Sequence, residues 1–175
     1  MARRLLAALA AALALGTAHA APSHVAAAVP QARAAGQGAF TWFGIKLYDA
    51  QLWVGPAGYR AGAPFALDLR YARALDGGRI ADASADQMEK TGGGSAAQRA
   101  VWLAKMRAVF TDVQPGSSIT GVFDGAGAVR FYLDGAAIGN IDDPGFAQAF
   151  AAIWLGPRST APRLREALLK EAAAR

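Results

Sequence analysis

The chain has 175 residues, no cysteine and two histidines, and its 18 Lys+Arg against 13 Asp+Glu give a formal charge of +5. Without cysteine it forms no disulfide, carries no thiol nucleophile and builds no Cys-ligated zinc site. The basic residues are scattered singly, with neither a basic stripe nor basic residues interleaved with aromatics, so no nucleic-acid partner is expected.

Residues 1–20 have the form of a cleavable export signal. Arg3 and Arg4 supply the positive start, residues 5–15 the apolar core, and Ala18-His19-Ala20 a small-x-small cleavage site. The apolar run is shorter than the ~20 residues a membrane-spanning helix needs, and no later run is longer. A soluble product outside the cytoplasm, beginning at Ala21 and without a transmembrane anchor, is therefore expected. Residues 21–35 are rich in Ala and Pro without periodicity and read as a flexible lead-in to a single domain over 36–175. His19 falls in the signal and His24 in the lead-in, so the domain is expected to hold no histidine. That excludes a Ser-His-Asp triad and removes the commonest general base near neutral pH. No metal, cofactor or catalytic residue is assigned.

Residues 40–43 and 45–54 are rich in β-branched and aromatic side chains and read as the first strands, with Gly44 marking a bulge or bend. After the turn Gly55-Pro56-Ala57-Gly58, Phe65, Leu67, Leu69 and Tyr71 alternate with Ala66, Asp68, Arg70 and Ala72, a half-buried antiparallel strand. Asp76-Gly77-Gly78 breaks it. Residues 79–90 read as a helix with little apolar face beyond Ile80 and Met88, and Gly92-Gly93-Gly94 as a joint. Residues 96–110 form a firmer helix with Trp102, Met106, Val109 and Phe110 on one side. Strands over 118–123 and 128–133 flank an Asp124-Gly125-Ala126-Gly127 turn.

Asp142-Asp143-Pro144 starts a helix, with an acceptor near the N-cap and proline in the first turn. Phe146, Phe150, Ile153 and Trp154 recur on one face of it, and Gly156-Pro157 stop it. Ser159 or Thr160 is expected to cap a last helix with Pro162 in its first turn and Leu164 and Leu168 inward. Adjacent strands interrupted by a helical middle and closed by helices predict an α+β fold with a mainly antiparallel sheet.

On the strand over 45–54, period two places Asp49 with Leu47, Gln51 and Trp53 on one face and Tyr48 with Lys46, Ala50 and Leu52 on the other. A carboxylate in mid-strand must be solvated or paired. Asp49 therefore lies on an exposed face, forms a structural ion pair across to Arg70, or orients an arginine at a pocket wall. Gly36-x-Gly38 and Gly125-x-Gly127 are too short to be phosphate loops, and Asp142-Asp143 reads as a helix start before it reads as a calcium site.

Five sets of residues stand out together: Gly44-Ile45-Lys46-Leu47-Tyr48-Asp49-Ala50, Phe131-Tyr132-Leu133-Asp134-Gly135 with Ile138-Gly139, Asp143-Pro144 with Phe146 and Phe150, Ile153-Trp154-Leu155-Gly156, and Leu164-Arg165 with Leu168-Leu169. Together they resemble the chalcone isomerase-like family, in particular its exported bacterial members, and the likeness runs over residues 36–169. The resemblance implies an open-faced sandwich, a mainly antiparallel sheet with helices layered on one face, and a periplasmic location. It leaves activity open, because the family holds both isomerases and non-catalytic fatty-acid-binding relatives.

Lys46 matches the lysine of the Lys-Phe-Thr-Ala-Ile-Gly-Val-Tyr strand of the plant isomerases, and Tyr48 stands where those enzymes place an active-site threonine. Their key arginine follows a Gly-x-Gly; here Gly36-Gln37-Gly38-Ala39-Phe40 has none. Residues 81–91 hold no counterpart of the family's mid-chain tyrosine. A secreted, non-catalytic binding protein for an amphipathic small molecule, a fatty acid or a phenolic, is expected, with Tyr48, Lys46, Arg70 and Arg130 as ligand contacts. One alternative is an intramolecular lyase in which Tyr48 positions a water or the ketone oxygen and Arg70 or Arg130 stabilises an enolate. The other is an envelope protein-interaction module. An arginine aimed into the cleft separates the first two, and a large exposed apolar patch marks the third.

Overall fold

The computed structural model describes residues 20–174. The expected export signal therefore lies, but for Ala20, outside the described residues. A short helix α1 (Ser23–Ala28) leads into strands β1 (Arg33–Trp42), β2 (Ile45–Val54) and β3 (Phe65–Tyr71), followed by helices α2 (Gly77–Thr91) and α3 (Ala96–Val109). Strands β4 (Ser118–Phe123), β5 (Ala128–Leu133) and β6 (Ala136–Asp142) complete the sheet, and α4 (Pro144–Leu155) and α5 (Pro162–Leu169) close the chain. The six strands pair in sequence order, each antiparallel to the next.

Alternation sorts the side chains between two faces. Ala50, Leu52 and Val54 of β2, Leu67, Leu69 and Tyr71 of β3, and Val129 and Phe131 of β5 join the main core beneath the four longer helices. Helix α4 is its centre: eight of its residues are buried, as expected of a helix covered on most sides. Its start is fixed by Asp143, whose carboxylate accepts from Phe146 N–H at 3.0 Å and from the Trp102 indole N–H at 2.9 Å. These bonds hold the Asp143 carboxyl below the usual carboxylate range. Helix α2 is capped by Asp76 and ended by a left-handed Gly92; α3 begins with a Ser95/Gln98 capping box.

Three elements depart from the sequence reading. Strand β6 is unannounced because Ala-Ala-Ile-Gly-Asn-Ile-Asp buries a single side chain, Ile141, and has no apolar alternation. The last helix has Ala161 at its N-cap with no side-chain cap. Ser159 instead donates to the Ile153 carbonyl at 2.7 Å and Thr160 to Gln87 at 2.6 Å. The lead-in is not a free segment: β1 starts at Arg33, and α1 lies on the opposite face of the sheet from the other helices. There Val25 and Val29, both 0% exposed, pack with Trp53, Ala66 and Val122. Two valines four apart among alanines cover what would otherwise be a wet apolar patch, a signal too short to read as periodicity.

The same helix brings a histidine into the folded part, contrary to expectation. His24 Nε2 lies 3.0 Å from Thr120 Oγ1, which itself donates to Asp68 at 2.7 Å, and the His24 ring lies 4.7 Å from that of Tyr132. Burial lowers the His24 pKa from its ordinary value of 6.5, against the pull of Asp68. The unfolded chain then takes up the proton before the folded one, so this contribution is present above pH 6.5 and lost as pH falls. His24→Ala should cost about 0.5–1.5 kcal/mol near pH 7.5, roughly one hydrogen bond. Urea melts of both proteins should show that gap narrowing on acidification.

Candidate functional site

Between the inner face of β1–β3 and helices α2 and α4 lies a cleft of about 410 Å³, within the ~300–1,000 Å³ of small-molecule sites. Its floor is apolar. Leu69 and Ile119 come from the sheet, and Phe110, Phe150 and Ile153 from the helical layer. Tyr48 stands in its wall with its ring stacked on Phe40 at 5.1 Å and edge-on to Tyr71 at 5.9 Å. The Trp154 indole N–H donates to the Tyr48 hydroxyl at 2.9 Å. That fixes the oxygen as an acceptor and leaves its own proton without a protein acceptor among the described residues. Burial pushes the Tyr48 pKa up to about 12, the Trp154 bond opposing, and burial pushes Tyr71 up further still. Both phenols are thus neutral donors across the physiological range, not bases.

The mouth is polar and mostly exposed. Arg79, Ala83, Asp86 and Lys90 line it from successive turns of α2, Trp42 from the end of β1, and Thr160 and Ala161 from the start of α5. The Thr160–Gln87 hydrogen bond ties α5 to α2 there. Arg79 and Lys90 enter no ion pair among the described residues, so two cations stand ready at the entrance of an apolar chamber.

Of the four ligand contacts expected from sequence, Tyr48, Lys46, Arg70 and Arg130, only Tyr48 lines this cleft. Arg70 and Arg130 are exposed on the outer face, because Leu69 and Tyr71 on β3, and Val129 and Phe131 on β5, take the inward positions. An enolate in the cleft would have neither as a partner. Lys46 is exposed at the end of the β1–β2 hairpin and pairs with Asp49. This corrects the Asp49–Arg70 pair, although Asp49 and Arg70 do sit opposite one another in register. The ladder is irregular between Phe40 and Thr41, and such a bulge adds the twist that lets residues three apart meet. With both partners about half exposed, the pair is worth at most ~1 kcal/mol.

Sequence reasoning missed Tyr71, Phe40, Trp42 and the polar edge of α2. Tyr71 was detectable, since it continues the inward alternation of Leu67 and Leu69. The α2 edge was not, because polar residues lining a mouth have the same pattern as polar residues facing water.

No curated protein sequence matches the chain. A solved fatty-acid binding protein of Arabidopsis thaliana superposes with a TM-score of 0.68 over 83% of this chain and 91% of that one, at 12% identity. Likeness at that identity establishes the fold. The family model described as chalcone isomerase-like matches residues 36–170, nearly the whole of the sheet and its four longer helices, and the chain belongs to that family.

Proposed function

We propose that this chain is an exported, non-catalytic binding protein for an amphipathic acid, a fatty acid or a phenolic, held with its apolar part in the cleft. The observation that carries the reading is the cleft itself: an apolar chamber with one inward hydroxyl, Tyr48, whose oxygen is engaged by Trp154 and whose proton is free for a ligand oxygen. Arg79 and Lys90 at the mouth favour an acidic head. The likeness to a fatty-acid binding protein adds support. Ring-closing catalysis is disfavoured because Arg70 and Arg130, the expected enolate partners, lie on the outer face, and because Arg79, the arginine that does line the cleft, stands exposed at its mouth.

The reading is tested by titrating the purified protein with oleate and by native mass spectrometry of protein taken from the periplasmic fraction, where its N-terminus should be Ala21. Tyr48→Phe should weaken oleate binding by about 0.5–1.5 kcal/mol. It should also cost about 1–3 kcal/mol of stability, because the Trp154 N–H is left buried without its acceptor. Unchanged affinity in a destabilised variant removes Tyr48 from the ligand contacts. Stereoselective closure of a chalcone by the wild type, well above the solution rate, overturns the binding reading.

A further inference from the structure

The tip of the β1–β2 hairpin breaks two rules at once. Its turn is Phe43-Gly44, with φ of 46° and 76°, and a two-residue turn with both φ positive favours Asn-Gly or Asp-Gly. The β5–β6 hairpin obeys: Asp134-Gly135 occupy the same positions with φ of 49° and 86°. At the first tip a bulky aromatic takes the strained position, and its side chain is 88% exposed. Trp42 is 55% and Ile45 45% exposed beside it; of the large apolar side chains exposed among the described residues, only Val101 lies elsewhere. A large aromatic side chain placed in water at a strained position gains nothing for the fold there, which points to a use outside it.

We propose that this tip inserts into the surface of a phospholipid bilayer. The tip is convex, three side chains on a tight turn, and suits a deformable interface. Those side chains expose on the order of 400 Å², about half of the ~800 Å² that each partner of a stable protein interface buries. Trp42 belongs to the tip and to the mouth of the cleft alike, so insertion sets the opening at the lipid surface from which an amphipathic ligand partitions. Tryptophan, apolar in body and polar at its N–H, is suited to that depth. Lys46 at the tip is paired with Asp49, and Arg79 and Lys90 stand exposed at the mouth against Asp86 alone, a small positive excess that favours an anionic surface. The docking rests on the tip alone; its use in loading the cleft rests on the binding reading above.

The test is flotation with vesicles of phosphatidylcholine containing one quarter phosphatidylglycerol, with oleate titration in parallel. The wild type should float with the vesicles. Phe43→Asn, which restores the favoured turn residue, should melt higher, keep its oleate affinity and lose vesicle binding by about tenfold or more, the loss of one large buried side chain. Trp53, Trp102 and Trp154 are already buried, so a blue shift of tryptophan emission on vesicle addition should vanish in Trp42→Phe. A wild type that does not float, or a Phe43→Asn that floats equally well, overturns the docking whatever the oleate result. So does a wild-type dimer that Phe43→Asn dissolves, since the tip then meets a second copy. Flotation without oleate binding leaves the docking standing and removes the ligand reading.

Discussion

Phe150→Ala should destabilise the protein by about 3–5 kcal/mol, the usual cost of emptying a buried aromatic site. The ring is 6% exposed and lies at the centre of an aromatic cluster. Its centroid is 5.2 Å from those of Phe146 and Trp154, 5.4 Å from Phe131, 6.2 Å from Phe110 and 6.4 Å from Phe123. These residues come from α4, β4, β5 and the end of α3, so one truncation loosens the helical layer from the sheet at several points. In a chain of this size the melting temperature should fall by ~10 °C or more. Phe150 also floors the cleft, and the space it vacates joins the ligand chamber. Added oleate should therefore recover part of the loss, as expected for a ligand that binds the folded state alone. A loss under about 1 kcal/mol would show that α4 is not the element clamping the two layers.

Helix α4 is also where sequence and structure agree best, for a physical reason. Its start, buried face and stop are all local: Asp143 and Pro144, four large apolar residues at helical spacing, and Gly156. Strand β3 was equally legible. Its alternation decides that Leu69 and Tyr71 face inward and so, by parity, that Arg70 faces outward, and that parity argues against the expectation of Arg70 as a ligand contact. What was hidden depends on partners remote in sequence. Helix α1 is short and made mostly of alanine, and its two valines acquire meaning only against Trp53 and Val122. Strand β6 exists because β5 offers it an edge. The Lys46–Asp49 contact depends on an irregularity in the β1–β2 ladder, which no periodicity records. For the cleft, Tyr48 could be placed by strand parity, whereas Arg79, Gln87 and Lys90 could be placed only by knowing which way α2 lies.

Gly36 is where the largest cost from the smallest change is expected. Helix α5 crosses β1 so closely that a Cβ at Gly36 would collide with the main-chain carbonyl oxygens of Ala167 and Leu168. Space, not conformation, requires the glycine, since its φ is not positive. The pair Gly36-x-Gly38 is thereby explained as a crossing point of helix and strand. Backbone atoms cannot rotate away, so Gly36→Ala should cost at or above the top of the 1–3 kcal/mol typical of overpacking, about 3 kcal/mol. Gly38→Ala meets mainly the end of the Leu164 side chain, at 2.8 Å, which can shift, and should cost under about 1 kcal/mol. Helix α5 is otherwise held by its buried Leu164 and Leu168, by Glu171 N–H donating to the Ala35 carbonyl at 2.8 Å, and by Arg33, which donates to the carbonyls of Glu171 and Ala173. If Gly36→Ala lifts the helix, the Thr160–Gln87 bond across the mouth should break with it. Oleate affinity should then fall although no atom lining the cleft has changed. Melts and oleate titrations on both alanine variants check this: equal stability losses at the two positions would mean that α5 can give way, and the close crossing is not what holds it.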